Sequence, residues 1–109
     1  MNIASMTPEV LELVASRFKA LAEPVRLQIL AALKDGEQTV SELMTATDVP
    51  QANASRHLKV LHDLGFVRRR RDGPFVYYAL ANKRVFQLCE IMCGQLEHES
   101  QQRKKLFAG

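Results

Sequence analysis

Between Gln51 and Lys59 the chain gathers groups suited to reading a polyanion. Gln51, Asn53, Ser55, Arg56, His57 and Lys59 offer amides, a hydroxyl, a guanidinium, an imidazole and an ammonium, which can pair with base edges and phosphate oxygens. Any one of them also fits the solvated face of an amphipathic helix; the set points to nucleic acid. A little further on, Arg68-Arg69-Arg70-Arg71 places four cations in a row. On an extended strand, alternation sends two of them to each face. A ribbon with arginine on both faces suits backbone phosphates or a narrow minor groove, and Arg69 and Arg71 are assigned to that contact.

A second kind of chemistry rests on Cys89 and Cys93. One helical turn apart, their thiols emerge on one face with Cα atoms about 6 Å apart. Such a pair suits a soft ion such as As(III), Sb(III), Cu(I), Cd(II) or Hg(II). Two other readings stand beside it: both cysteines fall on an apolar face with Val85, Met92 and Leu96 and serve as small hydrophobes, or they are oxidised or persulfidated. An intrahelical disulfide is strained, because the helix backbone resists the Cβ approach. No constitutive cofactor is implied.

Charge supports the polyanion. Residues 1 to 55 carry four basic and seven acidic side chains, residues 56 to 109 eleven and five, so a formal charge of only +3 hides a strongly basic second half. Nucleic acid and an anionic membrane both attract such a half. An interfacial anchor needs a large free apolar face opposite its cations, whereas here the basic run leads into a hairpin and the apolar faces are needed for a core. No apolar run approaches the roughly 18 residues of a membrane span, and Met1-Asn2-Ile3-Ala4-Ser5 lacks the features of a signal peptide, so a soluble cytoplasmic protein is expected. The 109 residues, 47% of them apolar, suit one domain, 1–109. A Gly-rich phosphate loop, paired carboxylates at catalytic spacing and a nucleophile beside a base are all missing from the sequence, which argues against an enzyme.

The elements that must position these groups follow from periodicity. Thr7-Pro8 reads as an N-cap and first-turn proline, with Val10, Leu13, Val14, Phe18 and Leu21 giving a helix over about 8–21. Glu23-Pro24 restarts the pattern through Leu33, with an end expected near Lys34-Asp35-Gly36 and Gly36 as a left-handed cap. Thr39 and Glu42 fit a capping box for a short helix to about Thr47. After Asp48-Val49-Pro50, the stripe Ala54, Leu58, Leu61, Leu64 marks a fourth helix closed by Gly65, and two helices so close suggest a helix-turn-helix. Phe66 to Arg71 and Phe75 to Leu80 read as strands around Asp72-Gly73-Pro74, with the proline suggesting a loop longer than two residues. A fifth helix is expected from about Lys83 to about Leu106, its polar turns at Gln101 to Lys105 fraying. The fold class is mainly α with a small β-hairpin. Its order, helix, helix, helix-turn-helix, ribbon, helix, is that of a winged helix-turn-helix, whose fourth helix enters a major groove.

In this order the chain resembles the ArsR/SmtB family of bacterial metal- and stress-responsive repressors from about Phe18 to Leu96. The resemblance is carried by Phe18-Lys19-Ala20-Leu21-Ala22-Glu23-Pro24-Val25-Arg26-Leu27-Gln28-Ile29-Leu30, by Ala54-Ser55-Arg56-His57-Leu58-Lys59-Val60-Leu61 with Gly65-Phe66-Val67, and by Val76-Tyr77-Tyr78-Ala79-Leu80. It implies a homodimer, assembled through the first and fifth helices, that binds an imperfect palindrome in operator DNA and blocks transcription until an inducer lowers its affinity. One departure is Pro50-Gln51, where the family usually has Ser-Gln; proline supplies no hydroxyl cap. The family's arsenic-type thiol positions on the third helix are Met44 and Ala46 here, and its zinc-type positions read Asn82, Arg84, Gln95 and His98. Both family sites are therefore expected to be lost. Cys89 and Cys93 remain as the candidate inducer site, with a third donor expected from elsewhere or from a partner subunit.

Overall fold

The first two helices are set by what precedes their prolines. In the computed structural model, which describes residues 2–108, a 3-10 helical turn at Ile3–Ser5 leads into α1 (Pro8–Leu21), capped by the Thr7 hydroxyl accepting from the Val10 N–H. A carboxylate does the same for α2 (Pro24–Ala32), where Glu23 accepts from the Arg26 N–H. That helix stops short of the expected end. The N–H groups of Leu33, Lys34 and Gly36 reach carbonyls three residues back, so α2 tightens into 3-10 turns, and Gly36, at φ +148, turns the chain towards the next element and caps no helix.

Sequence reasoning missed β1 (Gln38–Thr39), since two residues carry no period. Thr39 then caps α3 (Val40–Thr47) through the expected box: its hydroxyl accepts from the Glu42 N–H while Glu42 accepts from the Thr39 N–H. Asp48, at φ +54, ends that helix. α4 (Gln51–Asp63) starts at Pro50 without a side-chain cap. Its end is tightly specified: the N–H groups of Gly65 (φ +80) and Phe66 bond to the His62 and Leu61 carbonyls, the paired bonds of a Schellman motif.

β2 (Val67–Asp72) and β3 (Phe75–Leu80) pair antiparallel, and β1 adds to the other side of β3. Their connection is Gly73-Pro74 alone, with Asp72 opposite Phe75, so the loop is shorter than expected. Gly73 takes φ +60. The proline ring fixes the following φ near −65°, and positive followed by negative φ is the type II′ pattern that closes a two-residue hairpin. α5 (Val85–Ala108) stays helical through the polar turns that were expected to fray.

The core lies between α2, α3 and α4 and is closed by the sheet: Ile29, Leu30 and Leu33, then Leu43, then Leu58 and Leu61, meet Val67, Tyr78, Leu80 and Val85. At roughly 1.5–3 kcal/mol for each large side chain removed from water, this cluster fixes α4 and the root of the hairpin as one rigid unit. α1 and α5 only border it: Val85 is the one buried residue of α5 and Ala20 the one buried residue of α1.

Candidate nucleic-acid interface

Because Ala54, His57, Leu58 and Leu61 face the core, the 3.6-residue period turns the rest of α4 outward. Gln51, Ser55, Arg56 and Lys59 are exposed and Asn53 is half-buried. His57 departs from its expected role. Only 8% exposed, it points inward, where Arg26 Nη1 lies 3.2 Å from Nδ1 and a Glu23 carboxylate oxygen 3.8 Å from Nε2. Burial first, and the Arg26 and Arg56 charges after it, push this imidazole below its ordinary pKa against the pull of Glu23. The stripe contained the warning: 57 is three residues after Ala54 and four before Leu61, squarely within the inner face.

The hairpin continues the outer face of α4. Val67, Arg69 and Arg71 stand opposite Leu80, Tyr78 and Val76, and since Val67, Tyr78 and Leu80 are buried, this is the side turned to the helices. A shallow groove joins Ser55, Lys59, His62 and Asp63 of α4 to Arg69 and Tyr78. Among the described residues, neither Arg69 nor Arg71 is ion-paired. Lys59 is held by Asp63 at 2.9 Å, and this hydrogen bond keeps the Asp63 carboxyl below its usual range.

The other two arginines occupy the opposite face. Arg70 donates from Nε to Glu37 at 2.9 Å and from Nη2 to the second carboxylate oxygen, and its guanidinium lies 4.4 Å from the centre of the Tyr77 ring. Its hydrogen bonds to Glu37 lower that carboxyl and raise the guanidinium. Arg68 reaches the Leu80 carbonyl at 3.4 Å. The even split of cations follows from alternation, but Glu37, 33 residues upstream, was not connected to Arg70 by any local pattern.

Cys89 is half-buried and Cys93 exposed, so packing inside the chain does not account for the pair. Both thiols lie between two grooves. One is apolar, lined by Phe18, Leu21, Leu27, Leu88, Met92 and Leu96 among others; the other includes Lys34, Asp35, Lys83 and Glu90. No cluster of three or more His, Cys, Asp or Glu that could hold a metal occurs among the described residues. Asn82 is engaged otherwise, its Oδ1 accepting the Arg84 N–H at 2.9 Å.

A family model for bacterial regulatory proteins of the arsR family matches residues 23–69, the stretch from α2 through α4 into the hairpin. The chain is 41% identical over 86 residues to the HTH-type transcriptional regulator KmtR of Mycobacterium tuberculosis, with 79% of this chain and 66% of that relative covered. It is 34% identical over 101 residues to a transcriptional repressor SmtB homolog of Synechocystis, covering 88% and 76%. Some relatives are longer, and the chain spans 55% of the M. tuberculosis SmtB repressor. Its fold is similar to the solution structure of a homodimeric winged helix-turn-helix DNA-binding domain from Mycobacterium bovis, with TM-score 0.75, 37% identity and coverage of 88% and 95%. These relatives are transcriptional regulators, not enzymes. The motifs of α2 and α4, the winged helix-turn-helix order and this identity across most of the chain agree: the chain belongs to the arsR family of bacterial regulatory proteins.

Proposed function

We propose that this chain is a homodimeric, sequence-specific DNA-binding repressor of the cytoplasm, one domain with dimerisation helices at both ends, which leaves its operator when a thiophilic inducer, As(III) or another soft metal ion, engages Cys89 and Cys93. The observation that carries the DNA-binding reading is the groove joining Ser55 and Lys59 of α4 to the unpaired Arg69, with Gln51 and Arg56 exposed on the same helix and the unpaired Arg71 on the same side of the hairpin as Arg69. A helix of 13 residues with long polar side chains fits a major groove, and the arginines beside it reach phosphates or the adjoining minor groove. Dimerisation is supported by what α1 and α5 leave bare: Phe18, Leu88, Ile91, Met92 and Leu96 are all exposed in a single chain. A two-fold pair of reading helices calls for an imperfect palindrome.

Arsenite suits the thiol pair chemically. As(OH)3 condenses with two thiols to give a dithiolate, releasing two waters and leaving one hydroxyl that a third thiol can replace. That stoichiometry asks no more of one chain than Cys89 and Cys93 supply, and a third donor comes from the partner subunit or a small thiol. Both cysteines border the apolar groove between α1, α2 and α5, so a group bound there acts on the proposed dimer seam.

The test is fluorescence anisotropy on the chain's own upstream DNA in reducing buffer, with and without stoichiometric arsenite, for the wild type and a Cys89→Ser, Cys93→Ser double variant. Release of the wild type alone is expected. If both stay bound, arsenite is not the inducer, and oxidants, persulfide or no inducer take its place. Absence of binding even at low salt overturns the DNA-binding reading.

A further inference from the structure

His57 sits in the middle of α4 yet takes no part in the surface offered to DNA. Its surroundings join three elements. Arg26, on α2, donates from Nε to the carbonyl of Ala20 in the last turn of α1 and lies within 3.2 Å of His57 Nδ1 on α4. Glu23, in the turn between α1 and α2, caps the Arg26 N–H, and the same carboxylate oxygen faces His57 Nε2 at 3.8 Å. The next residue, Leu27, lines the apolar groove that also holds Cys89 and Cys93.

A guanidinium only donates. Nδ1 must therefore be the bare, accepting nitrogen, and the proton of the neutral ring sits on Nε2, aimed at Glu23. Adding a proton to Nδ1 replaces an acceptor with a donor and sets two cations against each other at 3.2 Å. We propose that Arg26 is a positioning residue: through neutral His57 it registers α4 against the end of α1, so that protonating His57 loosens the reading helix and weakens operator binding. This rests on α4 being the DNA-reading helix.

The charged groups facing the ring are Glu23 from the turn, Arg26 from α2 and Arg56 from α4 itself. Glu23 favours the added proton, while burial and the two arginines oppose it. The switch therefore operates on the acid side of the ordinary histidine range. Its sign is distinctive, because positive charge gained on the surface offered to DNA strengthens binding, whereas the proton on His57 weakens it.

The experiment measures operator and scrambled-DNA affinity between pH 7.5 and 5 at fixed salt for the wild type, His57→Asn and Arg26→Met. Asparagine leaves a carbonyl oxygen near the Nδ1 position and does not titrate. The wild type is expected to lose about ten-fold in operator affinity on acidification, the factor that corresponds to one unit of pKa difference between bound and free states, with scrambled DNA spared. His57→Asn is expected to show no acid loss, and Arg26→Met to be weak at pH 7.5 with no further acid loss. Parallel profiles for the wild type and His57→Asn, or an equal loss on scrambled DNA, overturn the proposal. A readout without DNA keeps it separate from the DNA-binding reading: imidazole 15N shifts of the free wild-type protein are expected to show His57 protonated at Nε2 alone, and an Nδ1–H tautomer at neutral pH overturns the latch whether or not the protein binds DNA.

Discussion

Neighbouring arginines on one strand have different work because of what stands across from them. Arg70 faces Glu37 and the Tyr77 ring, while Arg69 and Arg71 share the side of the sheet that meets α4. Neutralising Arg69 and Arg71 together is expected to weaken operator and scrambled DNA alike and to flatten the plot of log affinity against log salt by about 0.9 for each phosphate no longer neutralised. Arg70→Ala is expected to leave that slope close to the wild-type value. Equal slopes in all three proteins would remove the hairpin from the DNA interface. Period-2 alternation made the division of the four cations legible from sequence. Arg69 and Arg71 were assigned to the DNA contact from sequence, but what turns that pair towards α4, Val67 and Tyr78 joining the core, was not legible there. His57 misled for a related reason: its polar type suggested a DNA contact, while its place in the stripe pointed inward and a partner 31 residues away, Arg26, made burial tolerable.

At the level of elements, the hairpin is held twice, by its root in the core and by the ion pair from Arg70 to Glu37 in the loop before β1. The Glu37 carboxyl titrates below its ordinary value because Arg70 hydrogen-bonds to its charged form. A depressed carboxyl contributes fully above the ordinary range and loses that contribution as pH falls through the folded value. Exchange protection of the Arg70 Nε–H, followed by NMR, is therefore expected to persist at neutral pH and disappear only in acid, and Glu37→Gln is expected to weaken it throughout. Loss of protection in the neutral range would contradict this. The capping box, the Schellman end of α4 and the starts of α1 and α2 were all legible, since each is written in residues three or four apart. β1 was not, because its pairing with Tyr77 and Tyr78 is nonlocal. The hairpin loop was misjudged through its proline, which suits the second position of a type II′ turn once glycine occupies the first.

For the molecule as a whole, the dividing line runs between the helices that own the core and those that border it. Met92 and Leu96 are 66% and 64% exposed in the single chain, so replacing both with glutamate leaves the core untouched. Sedimentation is expected to show that Met92→Glu, Leu96→Glu is monomeric at high concentration, with a loss of helix content no larger than α5 supplies, and its operator affinity is expected to fall steeply because two half-sites no longer share one binder. A stable dimer in that variant would move the seam elsewhere. The dual exposure of α5 was only half legible: the sequence showed a wide apolar arc, but an arc does not tell whether its complement lies in the same chain. Of the 24 residues of α5, Val85 alone is buried, and a helix so little supported draws its stability from packing it does not have in isolation. In the proposed dimer, assembly and the ordering of α5 are one equilibrium, and the melting temperature is expected to rise with protein concentration. A cell that dilutes it by growth would expose a loosened, protease-accessible tail, tying the regulator's lifetime to its own abundance.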